Sequence, residues 1–292
     1  MGFLLSALEM HFNKPSYSLF LRKTLGMVVL TIYLSICGVV AYIITKICFQ
    51  IPFGFIILVI IASTLPAQRS LYMHVAAVAS ALEHQGITEA RLKVSMIVGR
   101  KTEELDEAGV SRAAIESLSE NFSDGIVAPL FWLATGGLMG AVVYKAANTA
   151  DSMIGHKNER YSAFGWAAAR FDDLINLPCS RLSALWLTLA AFFIPGASPK
   201  TACQAVKRDA RHHRSPNAGW PEAAMAGALG FKLGGPRHYG TETVKDGYMG
   251  SGKYDLTYKD IRKSLRLFSI ACLIQVIVLL GLSFSFFLIS NK

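Results

Sequence analysis

Between Ser111 and Gly125 the chain reads SRAAIESLSENFSDG, its densest run of polar side chains. In a helix, Arg112, Glu116, Glu120 and Asp124 recur every four residues and share one face, with Asn121 beside it. Glu120 and Asp124 then stand toward the helix C-terminus, where the macrodipole disfavours anions. Carboxylates gathered there need a cation, and an oxygen-rich cluster suits Mg²⁺ better than a softer metal. A solvated helix with an Arg112–Glu116 pair is the simpler alternative. The next residues argue against it: from Ile126 the sequence turns apolar, with Pro129, Phe131 and Trp132, which puts the acids at a membrane boundary.

Three further constellations could carry chemistry. Lys145, Asn148 and Asp151–Ser152 recur at helical spacing beside an apolar segment, where ionisable groups are costly and a functional role is the default. The alternative is a Lys145 that snorkels to the interface. Asn158-Glu159-Arg160 precedes a helix on which Trp166, Arg170 and Asp173 share a face, with Asp172 adjacent. Arg170 either pairs with a nearby carboxylate or clamps a phosphate with its planar fork. RHHRSPNAGWPE, from Arg211 to Glu222, combines turn chemistry with Pro221 at the start of a helix reaching Leu229. That N-terminus, with basic residues close by, makes an anion site or else a positive-inside loop. GYMGSGKY, from Gly247, satisfies only the GxxxxGK part of a P-loop; Tyr254 replaces the Ser/Thr and no buried strand precedes it, so it reads as a flexible loop.

The elements that must hold these groups are helical and apolar. The chain is 52% hydrophobic and 17% charged, against roughly a quarter charged in average globular chains, with a mean hydropathy of +0.39. Its net charge of +9 means first cytoplasmic loops facing anionic lipid, and an anionic substrate is compatible with that. No basic stretch interleaves with aromatics as a nucleic-acid groove requires. Cys37, Cys48, Cys179, Cys203 and Cys272 form no CxxC and read as buried hydrophobes rather than disulfides or a zinc site. The short N-terminal apolar run, broken by Glu9, His11 and Lys14, is not a cleavable signal.

In order, Met1–Lys23 reads as amphipathic or interfacial, Leu25–Phe49 as a span, and Ile51–Leu65 as its hairpin partner. Ala67–Gln85 and Thr88–Val98 read as cytosolic or interfacial helices, followed by a charged loop from Gly99 to Gly109. Ile126–Ala147 is split by Gly136–Gly137 and Gly140 into halves too short to cross, which favours a re-entrant hairpin that returns Lys145, Asn148 and Asp151 to the side of Glu120 and Asp124 over a single crossing that would part them. The spacing then predicts a helix from Tyr161 to Leu177 ended by Pro178, a short apolar segment from Arg181 to Ile194, and a final span from Leu265 to Ile289. The fold class expected is all-α: a polytopic integral membrane protein of about five membrane-embedded segments. It forms one domain over 1–292, with cytoplasm-facing loops 67–124 and 197–264.

Together these residues resemble the adenosylcobinamide-phosphate synthases of cobalamin biosynthesis, the CbiB/CobD family. The similarity runs from about Gly99 to Gly250. It is carried by GRKTEELDEAGVSRAAIESLSENFSDGIVAPLFW, YKAANTADSMIGHKNERYSAFGWAAARFDDLINLP and SPNAGWPEAAMAGAL. The resemblance implies a multi-pass enzyme of the cell inner membrane. Such enzymes join a propionate carboxylate of adenosylcobyric acid to the amine of (R)-1-amino-2-propanol or its O-phosphate. An acyl phosphate made from Mg·ATP is the expected activated form. Family members usually begin earlier, with an apolar segment bearing Asp-Pro and His-Pro pairs; MGFLLSALEMHFN is similar to the part just after it.

On charge and spacing, the expected roles are as follows. Glu116, Glu120, Asn121 and Asp124 hold Mg²⁺ and ATP phosphates, with Asp151 contributing, and Glu120, Asp124, Lys145 and Glu222 are catalytic. Lys145, Arg160 and Arg170 neutralise phosphate or the activated carboxylate, and Arg112 and Asn148 bind substrate. His213, Asn217 and Glu222 contact substrate, Glu222 orienting the amine. The active site faces the cytoplasm, and a complex with pathway enzymes or a homo-oligomer fits the large corrinoid substrates. A membrane-embedded Mg-dependent phosphoalcohol or prenyl transferase is the rival enzyme class. Asp124-Gly125 matches the start of its signature, but the spaced aspartates that should follow are absent. A membrane sensor or transporter explains the intramembrane polar residues but not three dense polar motifs.

Overall fold

The computed structural model of the chain describes residues 1–235, 237–239, 242–244 and 247–290. Parts of the basic 197–264 stretch therefore lie outside the described residues. Eleven α-helices dominate these residues: α1 Gly2–Phe12, α2 Leu19–Gln50, α3 Gly54–Ser63, α4 Gln68–His84, α5 Ile87–Ser95 and α6 Glu107–Phe122, then α7 Ala128–Ile154, α8 Trp166–Ala190, α9 Pro199–Asp209, α10 Gly219–Leu229 and α11 Tyr258–Ser290. The strands are short: Leu233–Gly234 pairs with Tyr248–Met249, and Arg237–Tyr239 with Glu242–Val244, both antiparallel. Among the described residues, five helical stretches are long and apolar enough to cross a membrane: Leu19–Gln50, Gly54–His84, Glu107–Ile154, Trp166–Phe193 and Tyr258–Ile289.

The helices form two compact units, Met1–Pro66 with Asp124–Leu177, and Ala67–Ser123 with Pro178–Lys292. In the first unit, α1, α2, α7, the loop before α8 and the start of α8 share a core of Leu5, Val29, Leu30, Tyr33, Ala146, Ala150, Ile154, Phe164 and Ala168. In the second, α4, α6 and α11 pack together, with Phe122 edge-on to Phe268 at 5.5 Å, while α9 packs on α10. The small residues of α10 allow the close approach: Thr201 Oγ1 donates to the Gly227 carbonyl at 2.7 Å.

Two departures from the sequence reading have plain causes. Pro178 does not end a helix; α8 runs through it to Ala190. Proline removes one rung of the helical ladder and is usually disruptive, yet α8 carries buried residues on both sides of it, Ala168 before and Ala184 and Leu187 after, whose packing supports the helix. The charged loop after α5 is shorter than expected because Asp106 caps α6, its carboxylate accepting from the Gly109 N–H at 2.7 Å.

Within α7 the backbone at Gly137 takes φ 60°, ψ −158°, open to glycine alone, and the chain doubles back. A Cβ at Gly140 would sit 2.5 Å from the Trp132 carbonyl oxygen. The Tyr144 hydroxyl also lies 2.9 Å from the Asp124 carbonyl, although 20 helical residues would span about 30 Å. The five residues Ser123–Val127 that lead into α7 form a π-turn, a rare element often found at functional sites.

Candidate functional site

In the first unit, the doubled-back α7 and the adjoining α8 bury a chain of polar side chains. The Tyr144 hydroxyl stands between the Asp124 carbonyl at 2.9 Å and Asn176 Oδ1 at 3.0 Å, with one proton to give. Asn176 Nδ2 donates to Asp172 Oδ2 at 3.0 Å, and Asn148 Nδ2 to Asp172 Oδ1 at 3.3 Å. Tyr144, Asp172 and Asn176 are buried. Buried polar groups in an apolar setting persist only when bonded to one another. The spacing explains the match: Tyr144 and Asn148 are four residues apart on α7, as are Asp172 and Asn176 on α8, so each helix offers one polar face.

Asp151 follows Asn148 by one turn. Gly155 leaves room for it, since a Cβ there would meet Asp151 Oδ1 at 2.0 Å. Asp173, His156 and Arg170 lie within electrostatic reach of Asp151, and Asp151 within reach of Asp172. Arg170 pairs with Asp173 at 3.0 Å, half-exposed, so the carboxylate partner is the one the structure shows. Lys145, partly buried, sits between Tyr144 and Asn148 on α7.

Arg160 has a different setting. Its Nε and Nη2 donate to the buried Glu9 carboxylate at 3.0 and 2.8 Å. Glu9 also accepts from Asn13 at 2.8 Å, Asn13 accepts from Arg22 Nε at 2.9 Å, and Arg22 donates to the Arg160 carbonyl. The Glu9 hydrogen bond and charge hold the Arg160 guanidinium above its ordinary pKa. This clasp ties the 155–165 loop to α1 and α2. Glu9 and Arg22 were not among the expected site residues; their signal was charge inside apolar stretches.

In the second unit, Glu116 is buried and both its oxygens are engaged, Oε2 by Arg100 at 2.9 Å and Oε1 by the Gly234 N–H at 2.8 Å. Arg112 lies instead over the Tyr254 ring at 3.7 Å and donates to the Tyr254 carbonyl at 2.8 Å. The local Arg112–Glu116 pair therefore gives way to longer-range partners. Glu120 and Asn121 are exposed, and the Asn121 amide donates to the Ser117 carbonyl at 2.9 Å. Among the described residues, no three acidic, histidine or cysteine side chains gather closely enough to hold a metal ion. With Glu116 also spent on Arg100 and Gly234, the residues do not fit an all-protein Mg²⁺ cage.

His213 and Glu222 come together, Nε2 to Oε1 at 3.7 Å, with both side chains buried. His213 Nδ1 accepts from the Ser215 N–H at 3.0 Å, which leaves the neutral ring's proton on Nε2, facing Glu222. Asn217 Oδ1 accepts from Ser180 at 3.0 Å and Arg181 at 3.1 Å, and Arg181 stacks on Trp220 at 4.3 Å. Several donors of the GYMGSGKY stretch are spent within the protein. The Gly250 N–H donates to Asp209 at 2.8 Å, the Gly252 N–H to the Phe231 carbonyl at 3.2 Å, and Lys253 pairs with Asp260 at 2.8 Å. Burial opposes the Asp209 charge, but Arg208 and the Gly250 N–H outweigh it and hold this carboxyl below its ordinary pKa.

Apolar helices of spanning length, with amides and carboxylates bonded to one another inside two of them, define an α-helical membrane protein with intramembrane polar chemistry. The chain belongs to the CobD/CbiB family: the family model described as CobD/Cbib protein matches residues 1–268. It is 52% identical over 221 residues to the cobalamin biosynthesis protein CobD of Rhizobium meliloti (strain 1021), covering 75% of this chain and 68% of that protein. It is 47% identical over 257 residues to the protein of that name from Sinorhizobium sp, covering 87% and 80%. To one of that name from Rhodobacter capsulatus it is 46% identical over 270 residues, covering 91% and 82%. No solved structure matches the chain.

Proposed function

We propose that this protein acts in cobalamin biosynthesis as an ATP-dependent acid–amine ligase, joining adenosylcobyric acid to (R)-1-amino-2-propanol or its O-phosphate. The observation that carries the reading is family membership over residues 1–268, among relatives named for cobalamin biosynthesis. In the reaction, a propionate oxygen takes the γ-phosphoryl group of ATP and ADP leaves. The amine nitrogen then attacks the acyl carbon, phosphate departs, and the nitrogen loses a proton as the amide forms. A carboxylate activated in this way needs cationic and amide donors around it and a base for the amine.

Lys145 and Asn148 suit the phosphate or acyl oxygens, Asp124 and Asp151 the nucleotide, and Glu222 with His213 the amine. Glu120 keeps its place among the catalytic acids, and Arg112, Arg170 and Asn217 theirs among the substrate contacts. Arg160 serves through its clasp on the 155–165 loop. Magnesium would arrive with the nucleotide phosphates, a mode that asks only one or two carboxylates of the protein. The protein lies in the cell inner membrane with its active site on the cytoplasmic side. There α7 is re-entrant: the arm before Gly137, about 14 Å long at helical rise, falls short of the ~30 Å of hydrocarbon.

The test is an assay of the full chain in nanodiscs with adenosylcobyric acid, Mg·ATP and the amine with or without its phosphate. A corrinoid mass gain of one amide bond, with ADP released, is expected. A folded, inactive chain in every combination would refute the ligase reading.

A further inference from the structure

Beside the polar chain, α7 and α8 line a half-open cavity of about 310 Å³, bounded by Trp132, Gly136, Met139, Val143, Tyr144 and Phe171 among others. This volume falls within the roughly 300–1,000 Å³ of ligand cavities. The two polar groups on its wall are already committed. Trp132 Nε1 donates to the Ile175 carbonyl at 3.3 Å, and the Tyr144 hydroxyl serves the Asp124 carbonyl and Asn176. An occupant must therefore itself be apolar along its length. The cavity lies within two stretches apolar enough to cross a membrane, Glu107–Ile154 and Trp166–Phe193, which points to hydrocarbon as its surroundings. Gly136 lines it, and a Cβ there would touch nothing within 4 Å, so no close packing demands the glycine.

We propose that this cavity is a binding site for one acyl chain of a bilayer phospholipid. The chain inserts beside Gly136 and lies against Trp132 and Tyr144, so the bilayer itself backs the side chains that hold Asp124 and Asn148. The site does not depend on the ligase reading.

The full chain in detergent is titrated with a phosphatidylglycerol brominated on its acyl chains, and quenching of Trp132 fluorescence is read as the difference from Trp132→Phe. Saturable quenching is expected. Gly136→Leu adds a side chain to the cavity wall where a Cβ meets nothing within 4 Å, and should weaken binding by about tenfold, the equivalent of losing two buried methylenes. Phe171→Ala, which widens the cavity, should keep saturable quenching and guards against a folding artefact. Quenching that never saturates, that is unchanged in Gly136→Leu, or that disappears in both variants overturns the proposal. So does a dimer whose formation Gly136→Leu abolishes, since the cavity would then belong to a second copy.

Discussion

Tyr144→Phe removes one oxygen and leaves the ring, which is fully buried, in place. The hydroxyl stands 2.9 Å from the Asp124 carbonyl and 3.0 Å from Asn176 Oδ1, so its loss takes a shared donor from two acceptors. A buried group deprived of its partner costs about 1–3 kcal/mol, and the ring's packing is retained. Against a stability of roughly 5–15 kcal/mol the protein still folds. The larger effect falls on geometry, because the hydroxyl links the π-turn carrying Asp124 to the side chains that orient Asn148. A displacement of about 1 Å can lower turnover up to about a hundredfold. The ligase assay in nanodiscs should show kcat reduced by one to two decades with KM for ATP little changed, and detergent unfolding should show the modest stability loss. Wild-type turnover in Tyr144→Phe would refute the view that this chain positions the site.

Alanine at Glu120 or Asp124 should abolish turnover while leaving the membrane-inserted fold intact, as read by size exclusion and thermal unfolding; full activity in both would refute their catalytic role. Glu116→Ala leaves Arg100 and the Gly234 N–H without their carboxylate, both largely buried, and should destabilise by about 3 kcal/mol in detergent denaturation. Asp209 has a folded pKa below its unfolded one, so its contribution is complete above about pH 4 and fades as pH falls through the folded value. Asp209→Asn should remove that acid-side loss from the unfolding midpoint measured between about pH 3 and 7, by a small amount because Arg208 is half-exposed. Glu9→Gln weakens the hold on Arg160 and should raise proteolysis within 155–165 far more than elsewhere; equal cleavage in wild type would discount the clasp.

Helix placement was legible because it depends on local pattern. The four-residue recurrence of Arg112, Glu116 and Glu120 does lie on α6, and the apolar runs are α2 and α11. Partners were not legible, because they are set by chain reversals no period encodes. Glu116 meets Arg100 and Gly234, 16 and 118 residues away, rather than Arg112. Pro178 misled because a local rule gave way to packing along α8. Tyr144 and Asn176 were missed since neither is charged, although polar residues four apart in two apolar helices were a usable signal. Gly137 could be flagged from sequence, but only its φ shows where the chain turns.

The chain enters its two units alternately, 1–66, 67–123, 124–177 and 178–292, which sets an order on biosynthesis. A nascent chain that has cleared Leu177 holds every residue of the first unit, whose core can close while translation continues. The second unit must wait, because α4 and α6 pack against α11, which is made after Leu177. Until then their apolar faces stand open to whatever attends the emerging chain. A lesion in α11 would thus leave a finished first unit joined to an unfinished second one, a hybrid suited to recognition by membrane quality control.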